Sequence, residues 1–426
     1  MQVYFNPNPG SWPQILARPV MNAGKLNDTV AAILNDVRTH GDKAVLAYTQ
    51  RFDGATLPQP GLDQKDWAAA DSISEELKAA ITQAAENIRR FHAQQIQEPV
   101  KVETMPGVVC WRKSVGIEKV GLYIPGGSAP LFSTLLMLAI PATMAGCKEI
   151  VLCTPPAGDG TVHPAILFAA RVAGVTKIFR TGGVQAIAAM AYGTESIPRV
   201  SKIFGPGNQY VTCAKQLVQQ EGTAIDMPAG PSEVAVYADA SADPSFVAAD
   251  LLSQAEHGPD SQVVLVTTES SLVDAVAAEV EKQVSVLSRE AIARKALDNS
   301  RFVVVKDVEE AMDILNAYAP EHLILATDNA AALAEKVINA GSVFVGHYSP
   351  ESVGDYASGT NHTLPTNGYA TAYSGVSIDS FVRKITFQEL SPEGLKRIAG
   401  TVVTMAEAEG LSAHANAVTV RTNALK

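Results

Sequence analysis

From Val115 onward, short apolar runs alternate with helical stretches, and nothing else in the sequence constrains the fold as much. Residues 119–124, 149–153, 177–180 and 202–204 predict strands. Residues 132–145, 164–173, 184–192 and 208–220 predict the helices that follow them. The same texture restarts at Glu233. Strands are predicted at 234–237, 262–267, 301–305, 323–326 and 342–345, with helices at 244–256, 272–286, 308–317 and 330–339. Such alternation marks a parallel sheet covered by helices. Two arrays of similar size predict an α/β protein with two Rossmann-like βα units, although no residue-level repeat is visible.

The 426 residues leave room for more than these arrays, at roughly 150 residues per domain. Residues 1–114 predict a mainly helical region, with helical spacing over 27–52 and 74–97, as in Ile81, Ala84, Ile88 and Phe91. Pro58, Pro60 and Gly61 break that pattern. The expected divisions are an arm at 1–20, a helical region at 21–116 packing on the second unit, the first unit at 117–232, the second at 233–376, and a carboxy-terminal segment at 377–426. That last segment contains a helix over 392–409 and a short tail.

Composition removes several classes of function. The net charge of −11 argues against a nucleic-acid partner, since no basic excess exists to neutralise phosphates. The longest apolar run, 131–147, carries Ser133, Thr134, Pro141 and Thr143, too short and interrupted for a membrane span. The amino terminus has no basic start followed by an apolar block, so no secretory signal is expected. Cys110, Cys147, Cys153 and Cys213 form no CxxC pair, which fits a reduced, cytoplasmic protein without a thiolate zinc site.

Chemistry is expected in the loops. Gly121–Gly127, Thr181-Gly-Gly-Val-Gln185 and Phe204-Gly-Pro-Gly-Asn208 each join a strand to a helix, and together they outline a nucleotide crevice. No GxGxxG fingerprint is present. Asp226–Glu233 joins the arrays, and its two prolines would hold Ser232 stiffly at the junction. Gln254 and His257 share a helix face ended by Gly258 and Pro259, an arrangement open to a divalent metal. Glu321 and His322 form a candidate acid–base pair whose side chains, being adjacent, are expected to reach two sides of one substrate rather than each other. Asp355 and His362 lie in a polar loop, and Glu409 and His414 follow a helix. Taken singly, each segment is served as well or better by a plainer role: an ordinary βα turn, a rigid linker, a helix-capping histidine or a solvated loop. Of the eight histidines, four of the last five (His257, His322, His362, His414) sit in these segments. His40, His92 and His163 are expected to be structural or solvated, and His347 a loop residue. The combination suggests a metal-assisted oxidoreductase.

Seven strings in one order carry a closer resemblance: GLYIPGGSAPLFST, IFGPGNQYV, IDMPAGPSEV, DLLSQAEHGPDSQV, PEHL, GDYASGTNH and EGLSAH. From about Val115 to Leu425 the chain resembles the L-histidinol dehydrogenases. The resemblance implies two NAD-dependent oxidations of L-histidinol to L-histidine through an aldehyde, the last steps of histidine biosynthesis. It implies one zinc per subunit on Gln254, His257, Asp355 and His414, with these four also contacting substrate. Glu321 would activate water and His322 would take protons while touching substrate. Ser232, His362 and Glu409 would hold substrate, and Tyr123, Gln185 and Asn208 would contact NAD. It also implies an intertwined homodimer in which the carboxy-terminal dimerisation tail brings Glu409 and His414 to the partner's site. Gln209, Tyr210 and His347 before Ser349-Pro350-Glu351 read as local variation away from the ligand set. Two other readings stay open: a related dehydrogenase acting on another small alcohol such as a sulfonated diol, and a zinc hydrolase using Glu321 with no nucleotide in the crevice.

Overall fold

The strands Glu233–Ala238 and Gln262–Thr267 are buried at every position. Continuous Val-rich runs, rather than alternation, are what a parallel strand covered on both faces requires. A computed structural model describes residues 1–19, 23–126, 130–228 and 230–425. Gly127 of the first predicted loop lies outside these, as does Ala229 of the segment joining the arrays.

The amino-terminal part comprises β1 (Gln2–Phe5), α1 (Trp12–Ile15), α2 (Ala23–Asp53), α3 (Glu75–Ala93), β2 (Lys101–Met105) and β3 (Val108–Gly116). The first array is β4 (Lys119–Tyr123), α4 (Phe132–Met144), β5 (Glu149–Thr154), α5 (Pro164–Ala173), β6 (Lys177–Arg180), α6 (Gly183–Tyr192), β7 (Lys202–Phe204), α7 (Gln209–Gln220) and β8 (Ala224–Ile225). The second is β9 (Glu233–Ala238), α8 (Pro244–Ala255), β10 (Gln262–Thr267), α9 (Ser270–Val284), α10 (Glu290–Asp298), β11 (Arg301–Val304), α11 (Val308–Tyr318), β12 (His322–Ala326), α12 (Ala330–Ala334) and β13 (Ser342–Val345). Then come α13 (Glu351–Tyr356), β14 (Val382–Leu390), α14 (Pro392–Ala408) and α15 (Ser412–Ala424).

Both arrays close into all-parallel sheets, in the orders β6-β5-β4-β7-β8 and β1-β11-β10-β9-β12-β13. Apart from β1 at one edge, the two arrays use the same order, so the two Rossmann-like units share one topology. In each, the strand order reverses beside the array's first strand, where a crevice opens at the carboxyl ends. In the first unit that crevice lies between β4 and β7. In the second, the equivalent point is closed by hydrogen bonds: Asp239 accepts from Ser241 and Thr327, and Ser241 also meets His347.

Several expectations need correction. The region before residue 114 contains strands as well as helices. β1 is four residues long and is made a strand by pairing with β11, a partner some 300 residues away in sequence that local pattern cannot reveal. β2, β3 and β14 form an antiparallel sheet. β2 is exposed throughout and β14 nearly so, hence neither shows apolar alternation. Helices α2 and α3 pack on the first unit, not the second: Val30, Leu34 and Val45 join the core under α6 and α7, and Ile81 and Ile88 the core under α4 and α5. The helix expected over 330–339 stops at Ala334, and the tail is the helix α15. Among the described residues, no helix is long and apolar enough to cross a membrane.

Candidate active site

The crevice of the first unit is a cavity of about 980 Å³ whose lining includes Tyr123, Gln185, Asn208 and Asp53. All three residues expected to contact a nucleotide therefore face one space. Gly205 makes the close approach possible: its φ is +131°, and a Cβ there would sit 2.1 Å from the Tyr123 carbonyl oxygen. Asn208 caps α7, its Oδ1 accepting from the N–H groups of Tyr210 and Val211. Gly183, at the start of α6, donates to the Tyr123 hydroxyl at 3.2 Å. Gln185 is 1% exposed, yet neither atom of its amide has a hydrogen-bond partner. A buried amide left wholly unpaired is rare. One that lines a cavity is a group waiting for a ligand's donors and acceptors.

A second cluster gathers at the amino ends of β9 and β12, the opposite end of its sheet from a Rossmann crevice. Helix α11 ends on Ala319 with φ +49°, a left-handed conformation that costs a residue with a Cβ of order 1–3 kcal/mol. That turn and Pro320 deliver Glu321 and His322 to the start of β12. The Glu233 N–H donates to Glu321 Oε2 at 2.9 Å, and the Glu233 carbonyl meets His322 Nδ1 at 3.1 Å. With Nδ1–H fixed on that carbonyl, His322 Nε2 is left to exchange a proton. It lies 3.3 Å from Asp355 Oδ1. The two side chains do not diverge as expected: His322 Nδ1 is 3.7 Å from Glu321 Oε2, because both converge on the Glu233 backbone.

Burial is the largest single influence on each of the three groups. It pushes the Glu321 carboxyl up to about 8. For His322 burial acts downward, but the Glu321 and Asp355 carboxylates outweigh it and raise the imidazole. Burial would raise Asp355, and the bond and charge of His322 more than reverse it, holding the carboxyl at about 2.

Gln254 Oε1 is buried without a hydrogen-bond partner, and the equally buried His322 Nε2 and Asp355 Oδ1 have only each other, 3.3 Å apart as an ion pair. Ligand atoms of His322, Glu351 and Asp355 lie within 4.8 Å of one another. Amide oxygen, imidazole nitrogen and carboxylate suit zinc or a similar divalent ion, so the residues present fit a metal. This triad shares only Asp355 with the ligand set implied by the resemblance. Glu351 is a residue that sequence reasoning missed, and the segment set aside as local variation does touch the ligand set, since Gln254 Nε2 donates to Glu351 Oε2. The signal was its spacing four residues before Asp355, one turn of helix.

The other expected residues divide. His257 Nδ1 is 3.3 Å from Ser232 Oγ, at the exposed side of the cluster. His362 Nδ1 meets the Asp355 carbonyl at 2.9 Å, and its Nε2 meets Thr134 Oγ1 of α4 at 2.8 Å. Because Pro130, just before α4, lines the cavity, α4 connects crevice and cluster. Glu409 and His414 are exposed on the α14–α15 hairpin, and among the described residues no hydrogen bond or ion pair brings either side chain to the cluster. Of the remaining histidines, His40 is exposed and pairs with Asp36. His92 is buried against the Ile88 carbonyl, and His163 caps α5.

A family model described as Histidinol dehydrogenase matches residues 16–422. A curated histidinol dehydrogenase of Bacteroides thetaiotaomicron is 62% identical over 427 residues, covering all of both chains. That of Escherichia coli K12 is 52% identical over 417 residues, covering 97% of this chain and 95% of the relative. The crystal structure of histidinol dehydrogenase from Elizabethkingia anophelis is similar at a TM-score of 0.97 and 53% identity, covering 100% of this chain and 98% of that one.

Proposed function

The chain belongs to the histidinol dehydrogenase family, an oxidoreductase of histidine biosynthesis that acts on histidinol, and on that premise we propose that it catalyses the zinc-dependent, NAD-linked four-electron oxidation of L-histidinol to L-histidine through L-histidinaldehyde. The observation that carries this reading is the buried, unpartnered Gln254 Oε1 beside the His322–Asp355 ion pair and Glu321.

Gln254, His257 and Asp355, with His414 of the partner subunit, would hold zinc. Zinc held there would bind the nitrogens of the substrate and so fix its orientation. Tyr123, Gln185 and Asn208 would hold NAD in the crevice, where it would supply the hydride acceptor for both oxidations. With the Asp355 charge engaged by the metal, His322 would lose one of the carboxylates that raise its imidazole, and its Nε2 would take the hydroxyl proton of histidinol as the first hydride leaves, Nδ1 being committed to the Glu233 carbonyl, and release that proton to solvent before the second oxidation. Glu321 then draws a proton from the water that attacks the aldehyde carbon, and His322 takes the proton of the resulting hydrate as the second hydride leaves. Ser232 and His362, with Glu409 of the partner subunit, hold the substrate.

The cysteines support the water route. A thiohemiacetal route needs a thiolate at the site. Burial instead raises Cys147 to about 11 and also raises Cys153 and Cys213. The thiols of Cys147 and Cys213 donate to the Phe381 carbonyl and Asn27 Oδ1, not to Glu321 or His322.

Removing the metal tests the proposal. Treatment with a chelator is expected to abolish histidinol-dependent NADH formation, and zinc to restore it. Full activity in metal-free protein would contradict the zinc reading while leaving the family assignment intact.

A further inference from the structure

Gln254 and Glu351 are 0% and 1% exposed. They face each other from α8 and α13, with Gln254 Nε2 donating to Glu351 Oε2. Ser352 Oγ donates to the other oxygen, Glu351 Oε1, at 3.0 Å. A primary amide has two ends of nearly equal size, but only its oxygen can ligate a cation. A carboxylate accepts hydrogen bonds and cannot donate them, so it captures the NH₂ end. The opposite end, Oε1, is then left buried and without a partner.

We propose that Glu351 is a positioning residue that locks the Gln254 amide with its oxygen turned toward the metal. This rests on the zinc reading given above and adds a residue that reading does not contain. Without Glu351 the buried NH₂ group loses its acceptor, and the amide is free to turn its nitrogen inward, where it would repel the ion. Outer-shell partners of this kind typically change metal affinity by about 10–100-fold when removed.

The alternatives are that Glu351 binds the metal itself, being within reach of His322 and Asp355, or that it merely buttresses α13. The symmetry of a carboxylate separates them. A glutamate at position 254 presents an oxygen whichever way it turns, so it needs no lock. Zinc affinity is measured by competition with a chromogenic chelator, and the visible absorption of the cobalt-loaded protein reports the ligand geometry. In the Gln254 background, Glu351→Leu is expected to weaken zinc binding about 10–100-fold and to perturb the cobalt spectrum. In the Gln254→Glu background, the same Glu351→Leu change is expected to leave affinity unchanged or improve it, since it also separates two carboxylates.

Equal losses in both backgrounds would overturn the proposal in favour of direct ligation or a structural role, and no loss in either would overturn it outright. Should Glu351→Leu fail to fold, Glu351→Gln is nearly isosteric, but its amide can donate as well as accept and so loosens the lock; it is expected to weaken zinc binding by up to about 10-fold in the Gln254 background and to leave the Gln254→Glu background unchanged. Equal effects in both backgrounds would overturn the lock. Wild-type protein that binds no zinc would overturn the metal reading first and the proposal with it, a result distinct from any difference between the variants.

Discussion

Glu233 holds Glu321 in place from the next strand, its backbone N–H donating to Oε2 at 2.9 Å while its own side chain is clamped by Arg18. Arg18 forks onto the two Glu233 oxygens at 2.6 and 2.9 Å and lies over the Tyr318 ring at 4.1 Å. An arm at the far amino terminus thus fixes the strand that orients both Glu321 and His322. Arg18→Ala strands a buried carboxylate, and such losses cost about 3–5 kcal/mol. The expected result in denaturant unfolding is a loss of that size, with kcat falling more than KM changes. Arg18→Lys is expected to recover little, because an ammonium cannot reproduce the two-pronged contact. Wild-type stability and kcat in Arg18→Ala would contradict this.

Gln185 is the sharpest probe of the crevice. Its amide is buried and unpaired on both atoms, so Gln185→Leu removes polar groups that only a ligand can satisfy. The thermal midpoint is expected to stay level or rise, while KM for NAD rises about tenfold, or ~1.4 kcal/mol. KM for histidinol at saturating NAD is expected to be unchanged. A variant that loses stability without losing NAD affinity would show that the amide serves the fold instead.

Much of this architecture was legible in the sequence, and what was not shares one cause. β9 and β10 are recognisable because a buried parallel strand is apolar along its whole length. α5 is recognisable because His163-Pro164 opens it and Gly174, in a left-handed conformation, closes it. β1, β2 and β14 are hidden because their partners are distant or their surfaces are open, so no local period marks them. The candidate site follows the same rule. Gln254, His257, Glu321, His322 and Asp355 stand in loop or helix-end strings that carry their own signal. Glu351 carried only its four-residue spacing from Asp355, and its action, like that of Arg18, runs through a partner far away in sequence, Gln254 and Glu233 respectively, that only the folded chain brings close.

Asp53 gives the crevice a pH dependence. Its Oδ2 is buried without a partner on the cavity wall, and burial raises the carboxyl to about 6. The folded protein therefore keeps a proton that the unfolded chain releases near pH ~4. Stability falls as pH rises from about 4 to about 6 and stays lowered above that. Asp53→Asn is expected to raise the thermal midpoint at about pH 7.5, with the gain shrinking as pH falls toward about 5. A gain that is constant across that range would contradict the assignment.

Exposure of Glu409 and His414 in the single chain accords with their working in a partner's site. Glu321→Ala and His414→Ala chains, each inactive alone, are expected to regain about a quarter of wild-type activity after unfolding and random reassembly. Half the dimers would then be mixed, and each of those would hold one intact site of two. No recovery would show that each site is built from one chain.

The central claim is that one site carries out two successive oxidations. The most direct test is to count the NADH formed per L-histidinol consumed, by absorbance, with zinc-loaded protein and excess NAD. The account requires two NADH per histidinol, with histidine as the product. One NADH per histidinol, with the aldehyde accumulating, would contradict it and would remove the role given to Glu321.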